Sequence, residues 1–582
     1  MSSADSFETD VLIIGMGPTG ATTALALAKL GIRTHMVSRS NWVADSPRAH
    51  ITNQRAMEVL RDLEVEEECR RNGSPWEYMG DTPFISSLAG EELVRLRTWG
   101  TGDERRGDYM QASPCPMMDL IQPVIEPILI QAAARAGASF AFNTEYLSHV
   151  ENDGHVVVQL RDLLSGRDQV VRAKYLVGAD GARSKVVEDL GLIIQGQMAR
   201  AGTVYTLFDA DLGKFMAHRP SILNWIITPH ASFGEIGLGL LRAVRPWTQW
   251  IAGWGVDISG GEPDISESTV RERIYALIGD SSVELRLQRS SVWYVNQAWA
   301  TGYSKGRVFC AGDAVHRHPP SSGLGLNTCV QDGFNLGWKL AYVIKGHASS
   351  RLLDSYSLER APIGRQVVQR ANQSRLEYAP LKAAFRVAGA ENPVLAGIAR
   401  FRDPGPEGIK ARQAVEQALA LKNTEFNAQG TEMNQRYCSG AVIADPDAGE
   451  EVWKRDPELY LQATTRPGAK IPHAWLIDRQ GRRVSTLDVT GKGQFTLVTG
   501  LAGHAWAEAT TMLSKPYLRV VVTGALDTQD PYCEWQRRRE VSEAGAVLVR
   551  PDGYVAWRHM EGVHGVEQAR ALLAGALEAV LG

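Results

Sequence analysis

The stretch that decides the fold is DVLIIGMGPTG, residues 10–20. Its apolar run VLII is typical of a buried parallel strand. Gly15, Gly17 and Gly20 follow with G-x-G-x-x-G spacing, and the next residues, ATTALALAKLG, predict a helix that ends at Gly31. The first glycine makes a tight turn, the second lets the backbone approach a pyrophosphate, and the third lets the helix pack closely on the strand. The stretch therefore predicts a dinucleotide-binding α/β unit.

The next predicted strand, IRTHMVSRS, ends differently from the usual pattern. An acidic side chain is expected there to bind the adenosine ribose, but this chain has Ser38 and Arg39. We expect both residues at the adenosine end of the dinucleotide. Arg39 would meet the adenine side or a phosphate there, or else be a solvated surface arginine.

Two later strands also end in acidic turns. AKYLVGADGARS, residues 173–184, leads to Asp180, and GRVFCAGDAVH, residues 306–316, leads to Asp313. A dehydrogenase that binds only a nicotinamide dinucleotide would explain the glycine loop but needs neither of these turns. The three motifs together indicate a more elaborate dinucleotide site.

As a set, the motifs resemble those of class A FAD-dependent aromatic hydroxylases, which have the p-hydroxybenzoate hydroxylase fold. The similarity is best to the phenol hydroxylase branch, and within it to the 2,4-dichlorophenol 6-monooxygenases. The stretches that carry it are PRAHITNQRAMEVLRDL (47–63), EPILIQAAARAGA (126–138), NTEYLSHV (143–150), AKYLVGADG (173–181), GRVFCAGDAVHRHPP (306–320) and NTCVQDGFNLGWKLA (327–341). The resemblance implies an α/β protein with a Rossmann-like FAD-binding domain, a β-sheet substrate domain and a C-terminal thioredoxin-like domain.

The implied domains are interleaved along the chain. FAD-binding segments would span about 1–75, 110–185 and 305–380, substrate-domain segments about 76–109 and 186–304, a helical connector 381–440 and the thioredoxin-like domain 441–582. Thioredoxin redox chemistry needs two close cysteines. Only Cys533 lies in the last segment, with Cys438 just before it, so we expect a domain without CxxC chemistry.

The resemblance also assigns cofactor contacts. The residues expected to bind FAD are Gly15, Gly17, Gly20, Ser38, Arg39, Arg48, Gln122, Asp180, Asp313, Pro320, Gly323, Gly325, Leu326 and Asn327. Arg48 would reach the pyrophosphate or the ribityl chain, Gln122 and Asp313 the ribityl chain, and Asp180 both FAD and the reductant. Residues 323–327 open a helix, whose dipole and free N–H groups would stabilise the anionic reduced flavin.

The implied reaction is hydroxylation of a phenol. NAD(P)H would reduce FAD, O₂ would form a flavin C4a-hydroperoxide, and its oxygen would enter the ring ortho to the hydroxyl of a chlorophenol or simple substituted phenol. The alternative on this fold is a hydroxylase of a larger aromatic polyketide or another phenolic. A non-catalytic carrier would need no redox-active flavin. The resemblance further implies a homodimer.

His50 is the candidate catalytic residue, because its position corresponds to the aspartate that phenol hydroxylases place near the substrate hydroxyl. Neutral histidine has a pKa of ~6.5 and a tyrosine-like phenol ~10, so full proton transfer would be uphill by about 5 kcal/mol. A histidine therefore suits a more acidic, halogenated phenol, or only orients the substrate through a hydrogen bond. It could also be a loop histidine that satisfies backbone groups. Other expected substrate contacts are Trp225, Trp293, Tyr294 and Pro319.

Composition excludes several other classes of protein. The net charge is -4 without blocks of like charge, which argues against nucleic-acid binding. The chain lacks a signal-peptide pattern and apolar runs of membrane-spanning length, so we predict a cytoplasmic protein with reduced cysteines. His316 and His318 have no partners at metal-ligand spacing, and no metal site is predicted.

Overall fold

An eight-stranded sheet carries the glycine motif. The computed structural model describes residues 6–47, 49–198, 201–231, 234, 236–257, 261–445 and 449–582. The strands of this sheet are Ser6–Ile14, Thr34–Val37, Ser139–Ala141, Thr144–Asn152, His155–Asp162, Asp168–Gly178, Ser304–Lys305 and Val308–Cys310. Strands 6–14, 34–37, 168–178 and 308–310 are parallel. Their carboxyl ends meet at one edge, which brings the three sequence motifs together.

Two helices cross closely behind this edge. The first helix, Pro18–Lys29, follows the glycine loop, and the central helix, Gly325–Ile344, packs across it. Gly333 and Gly337 permit the crossing, because a Cβ at either would lie 2.7 Å from backbone or side-chain atoms of the first helix. On its other side the first helix packs on Gln122–Arg135.

A seven-stranded sheet forms the second layer. Its strands are Asp81–Ile85, Glu92–Arg97, Gly202–Asp209, Leu223–Ile226, Gly239–Arg245, Gln249–Val256 and Arg286–Tyr294. Side chains alternate between the two faces of such a sheet. Val204 and Phe208 pack with the helix Glu267–Ile278 in one apolar core. Thr203 and Tyr205 therefore lie on the opposite face.

A short ribbon joins the two layers. Ile51–Thr52 pairs with Met118–Asp119, and the second helix, Gln54–Asp62, starts directly after it. Asn53 caps that helix, since its Oδ1 accepts a hydrogen bond from the Ala56 amide. The ribbon thus fixes the segment that contains His50.

The C-terminal region has its own four-stranded sheet. The strand order is Leu518–Val522, Phe495–Thr499, Ala546–Val549, Val555–His559, with the first pair parallel and the others antiparallel. Helices His504–Leu513 and Val566–Leu581 share an apolar core with it. Other helices include Glu66–Asn72, Asp103–Ala112, Lys185–Leu190, the long helix Arg351–Leu376, Ala379–Ala384, Pro393–Arg402 and Pro406–Leu421. Within the ranges given above, no helix is both long and apolar enough to cross a membrane.

Candidate active site

The glycine loop leaves room for a ligand at only one of its three glycines. A Cβ at Gly15 would lie 2.1 Å from the Ala179 carbonyl oxygen, and one at Gly20 would lie 2.0 Å from the Gly15 oxygen. Gly17, in contrast, would meet only Glu126 Oε1, at 3.7 Å. Gly15 and Gly20 are therefore required by the protein's own packing. Gly17 borders open space at the N-terminus of the first helix, which fits a bound pyrophosphate.

Gln122 lies beside this loop at the start of its helix. Its backbone N–H donates to the Ala49 carbonyl at 3.0 Å, and its side-chain amide donates to Glu126 at 2.7 Å. The other Glu126 oxygen accepts the Ala44 N–H at 2.7 Å. These contacts place Gln122 between the glycine loop and the segment that leads to His50. Arg48, the remaining predicted contact of this segment, lies outside the described residues.

The two predicted aspartates differ in their surroundings. Asp180 accepts hydrogen bonds from the Ser184 hydroxyl at 2.6 Å and the Lys185 amide at 2.8 Å, so it anchors the start of the helix that follows. The Asp313 carboxylate is exposed, and its side-chain contact within the described ranges is the Cys329 thiol at 3.6 Å. Asp313 therefore offers acceptor oxygens at the sheet edge, as a polyhydroxyl chain requires.

Ser38 and Arg39 end the strand next to the glycine loop. The Ser38 hydroxyl accepts the Ser40 amide at 3.2 Å, and Arg39 is exposed. Both lie at the same sheet edge as the other motifs, where the adenosine end of a dinucleotide would reach.

The loop before the central helix turns sharply. Ser322 and Gly323 both have left-handed backbones, with φ of 65° and 61°. Pro319 is buried and Pro320 exposed. A Cβ at Gly325 would lie 3.4 Å from the His318 ring, so a larger side chain there would crowd this end of the helix. The first N–H groups of a helix have no acceptor within the helix, so this end suits an electron-rich ligand.

Asn327 links this helix start to the His50 segment. Its amide donates to the Ile51 carbonyl at 2.9 Å and the Gly323 carbonyl at 2.6 Å, and its oxygen accepts the Asn53 N–H at 2.9 Å. Leu326 beside it is 7% exposed. The predicted flavin loop and the predicted catalytic residue are thus brought together.

His50 faces a buried ion pair. Its Nδ1 lies 3.7 Å from Asp119 Oδ1, and the guanidinium of Arg242 pairs with the other Asp119 oxygen. The three side chains are 9%, 2% and 10% exposed. Burial, and then the positive charge of Arg242, lower the pKa of His50 against the opposing pull of Asp119. Burial opposes ionisation of Asp119, but Arg242 and His50 hold its pKa below the usual value. The site therefore holds a neutral imidazole beside a charged pair.

The predicted aromatic wall is only partly at the site. Trp225 lines a cavity on the same sheet face as Tyr205. Trp293 and Tyr294 lie on the edge strand and do not line this cavity, and Tyr294 is 44% exposed. Trp293 reaches it only through an edge contact with the Tyr205 ring, with centroids 6.4 Å apart.

His316 and His318 have structural surroundings. His316 Nε2 lies 2.9 Å from Asp332, which also accepts Arg360 Nε at 2.7 Å. Burial lowers the pKa of His318 to about 4. Across the described ranges, no group of three or more potential metal ligands occurs.

Four residues of this site were not among the predicted ones: Asp119, Glu126, Arg242 and Ser322. Arg242 did carry a signal, as an isolated charge in the apolar run GLGLLRAV. Asp119 and Glu126 similarly interrupt the apolar stretches around Gln122. A charged side chain buried in such a run needs an ion-pair or hydrogen-bond partner, but the sequence does not identify which residue that partner is.

A parallel sheet with a glycine loop, acidic turns at the same edge and a helix end facing a second sheet defines a flavin-binding enzyme. Residues 8–371 match the FAD binding domain family, and residues 464–582 match the C-terminal domain of aromatic-ring hydroxylases. The chain belongs to this family of FAD-dependent aromatic-ring hydroxylases, and it is a monooxygenase.

Similar proteins cover nearly the whole chain. The 2,4-dichlorophenol 6-monooxygenase of Cupriavidus pinatubonensis is 48% identical over 95% of this chain and 93% of its own. The phenol 2-monooxygenase of Pseudomonas sp. is 43% identical over 95% of this chain and 90% of its own. The crystal structure of the flavin-dependent monooxygenase PieE with FAD and substrate is 38% identical, with a TM-score of 0.94 over 99% of this chain and 100% of PieE.

Proposed function

We propose that this enzyme hydroxylates a phenol ortho to its hydroxyl, using FAD, NAD(P)H and O₂. In the balanced reaction, phenol, O₂, NAD(P)H and a proton give a catechol, water and NAD(P)⁺. The observation that carries the proposal is the neutral His50, held against the Asp119–Arg242 pair and tied through Asn327 to the flavin-facing helix. The relatives named for phenols, at 43–48% identity, support a phenolic substrate.

The cofactor contacts follow from the open positions of the site. Gly17 and the first helix would hold the pyrophosphate, Gln122 and Asp313 the ribityl chain, and the start of the central helix the flavin ring. When bound, FAD supplies the redox chemistry with NAD(P)H and O₂. The protein must orient the phenol and keep water from the ring, and the buried ribbon and Pro319 contribute to that exclusion.

His50 handles the proton of the phenol. With Nδ1 directed at Asp119, the neutral ring leaves Nε2 as an acceptor for the substrate O–H. Polarising or removing that proton raises the electron density of the ortho carbon, which must accept an electrophilic oxygen. Because the pKa of His50 is lowered, complete transfer is uphill for an ordinary phenol, and the uphill step is smaller for a more acidic, halogenated phenol.

A larger aromatic substrate is the second candidate. Relatives named for polyketide substrates, such as the aklavinone 12-hydroxylase RdmE of Streptomyces purpurascens, are 33% identical. Their lower identity favours the phenol.

The remaining expectations concern the whole chain. We propose the interleaved domain division given above and a thioredoxin-like C-terminal domain, which its strand order supports. Cys438 and Cys533 are free thiols, in keeping with a domain that has no disulfide chemistry. The homodimer and the cytoplasmic location stay predictions.

The experiment is a phenol panel with purified enzyme. FAD content, NAD(P)H consumption, catechol and peroxide are measured with phenol, 2,4-dichlorophenol and a polycyclic phenolic. We expect bound FAD, and NAD(P)H oxidation that a one-ring phenol stimulates and that yields catechol. Oxidation that no phenol stimulates would refute the proposal, and turnover of only the polycyclic substrate would favour the second candidate.

A further inference from the structure

The cavity beside the active site runs along the inner face of the seven-stranded sheet. Leu240 lines it, and Arg242 lies two residues further along the same strand, about 7 Å away on the same face. At its other side the cavity is lined by Arg375 of the long helix. The preceding residue, Ser374, accepts a 2.9 Å hydrogen bond from Ser322 of the flavin-facing loop. The cavity thus lies next to the place where the phenol ring would lie.

Trp225 contributes a buried polar atom to this wall. Its side chain is held by the Tyr378 ring, with centroids 4.9 Å apart, and the residue is 8% exposed. Within the described part of the chain, its indole Nε1 has no hydrogen-bond acceptor. A buried donor without an acceptor is destabilising, and a buried indole N–H normally has a partner. Such a donor in a residue that lines a cavity is explained if a ligand supplies the acceptor.

The neighbouring wall is apolar and shaped by a glycine. Leu238 and Leu240 line the cavity beside Trp225. A Cβ at Gly253 would lie 2.8 Å from the Tyr205 ring, so the glycine lets this ring lie across the strand. A ligand group here would contact the apolar side chains of Leu238 and Leu240, and Thr203 and Arg375 also line the cavity. Because the polar side chains of this lining can donate hydrogen bonds, the cavity favours a substituent that carries an acceptor oxygen.

We infer that the substrate of this enzyme is a phenol with a second ring substituent that carries a hydrogen-bond acceptor, and that Trp225 Nε1 donates to it. This inference rests on the proposed function and narrows its substrate class. The substituent would point away from His50 into the cavity. Trp225 would thereby select among phenols without taking part in the proton transfer.

Two phenols of equal shape test this. Para-(methoxymethyl)phenol has an acceptor oxygen where para-propylphenol has a methylene, and the linking methylene keeps the acidity of both phenols nearly equal. The dissociation constant of each is measured by titration of the FAD-loaded enzyme, for wild type and for Trp225→Phe, which keeps the aromatic bulk but removes the N–H. We expect the preference for the ether over the propyl compound to fall about tenfold in Trp225→Phe, as the loss of one hydrogen bond to a buried group predicts.

The control variant is Trp475→Phe, on the strand Trp475–Ile477 of the C-terminal region and outside the cavity, which should keep the wild-type preference. A preference that changes less than about twofold in Trp225→Phe would overturn the inference. The proposed function fails separately, if neither phenol stimulates NAD(P)H oxidation.

A third phenol tests the inference on wild-type enzyme alone, in case the Trp225→Phe variant folds poorly. In para-(methylthiomethyl)phenol, sulfur, a weak acceptor, replaces the oxygen. This compound is the more apolar one, so without the hydrogen bond it would bind wild-type enzyme more tightly than the ether. Tighter binding of the ether supports the inference, and tighter binding of the thioether contradicts it.

Discussion

A histidine buried beside an ion pair is controlled by the balance between its two charged neighbours. Asp119 attracts a proton to His50, while Arg242 and burial repel it, and the repulsion prevails. The result is an imidazole that stays neutral below its ordinary pKa of 6.5 and can accept a hydrogen bond from a phenol.

Arg242→Gln tests this balance at the residue scale. The neutral form of His50 is the active one. The value of kcat/KM should therefore be low at pH values below the His50 pKa and rise as the pH increases through that pKa. Glutamine can still donate to Asp119 but has no charge, so the His50 pKa should rise and the acidic limb of the pH profile should move to higher pH. Arg245→Gln, an exposed arginine on the same strand, should leave the limb unchanged. A limb that stays in place or moves to lower pH in Arg242→Gln contradicts the role of Arg242.

Sequence patterns are informative at this scale only where they are local. The spacing of Gly15, Gly17 and Gly20 indicates a cradle because the strand, turn and helix that form it follow one another in the chain. Asp119 and Arg242 come from separate strands more than a hundred residues apart, so the pair appears only once the two sheets are assembled.

At the scale of elements, the strand–turn–helix unit separates glycines needed for folding from the one needed for binding. Gly20→Ala should destabilise the apoprotein itself, because the methyl group would overlap the Gly15 oxygen. Gly17→Ala should fold normally and lose FAD affinity by about tenfold or more, because only the ligand space is filled.

Thermal unfolding of the apoproteins and FAD titration measure the two effects. Gly107→Ala is the matched control, since this helical glycine has nothing within 4 Å of an added Cβ. Normal FAD binding by Gly17→Ala would mean that the glycine loop is not the pyrophosphate site.

Asn327 connects the start of the central helix to the segment that contains His50, and its loss should affect both. Asn327→Ala leaves the Ile51 carbonyl and the Asn53 amide without their buried partner. We expect a loss of about 1–3 kcal/mol in the free energy of unfolding, together with weaker FAD binding. Asn72→Ala, which removes a single exposed hydrogen bond to Glu68, should cost less than about 1 kcal/mol. Equal losses in denaturant unfolding would argue against the link.

At the scale of the whole molecule, two residues of the C-terminal domain, Arg550 and Asp552, bind the helices that lead out of the active site. We call this pair of residues the clamp. The Arg550 guanidinium binds both oxygens of Glu359 on the long helix, at 2.6 and 2.9 Å. Asp552 accepts Asn335 of the central helix at 3.1 Å, and its carbonyl accepts Arg55 of the second helix at 2.9 Å. The turn that contains Arg550 and Asp552 thus contacts the central helix and the second helix, whose N-terminal ends form the site, as well as the long helix.

Arg550→Met should therefore destabilise strongly. It leaves Asp552 buried without its ion-pair partner and Glu359 with Lys339 as its remaining cation, which costs about 3–5 kcal/mol. Arg570→Met, in the same domain, removes only an exposed pair with Glu567 and should change stability by less than about 1 kcal/mol. Denaturant midpoints distinguish the two, and similar midpoints would show that the clamp contributes little.

The family and its FAD-binding α/β fold could be predicted because they follow from motifs within short segments. The clamp could not be predicted, because Arg550 and its partner Glu359 are 191 residues apart. Nothing in the sequence around either residue distinguishes it from an ordinary surface charge. Trp225 was predicted as a substrate contact, but the rest of the cavity that it lines was not, since the walls come from several strands and the long helix.

The most direct measurement follows the oxygen atom. Enzyme with bound FAD, NAD(P)H and 2,4-dichlorophenol is allowed to react under isotopically labelled O₂, and the product is analysed by mass spectrometry. We predict a catechol with one labelled oxygen in the new ortho hydroxyl, formed together with the oxidation of one NAD(P)H. Label found only in peroxide, or an unlabelled hydroxyl derived from water, would contradict the assignment of this protein as a phenol monooxygenase.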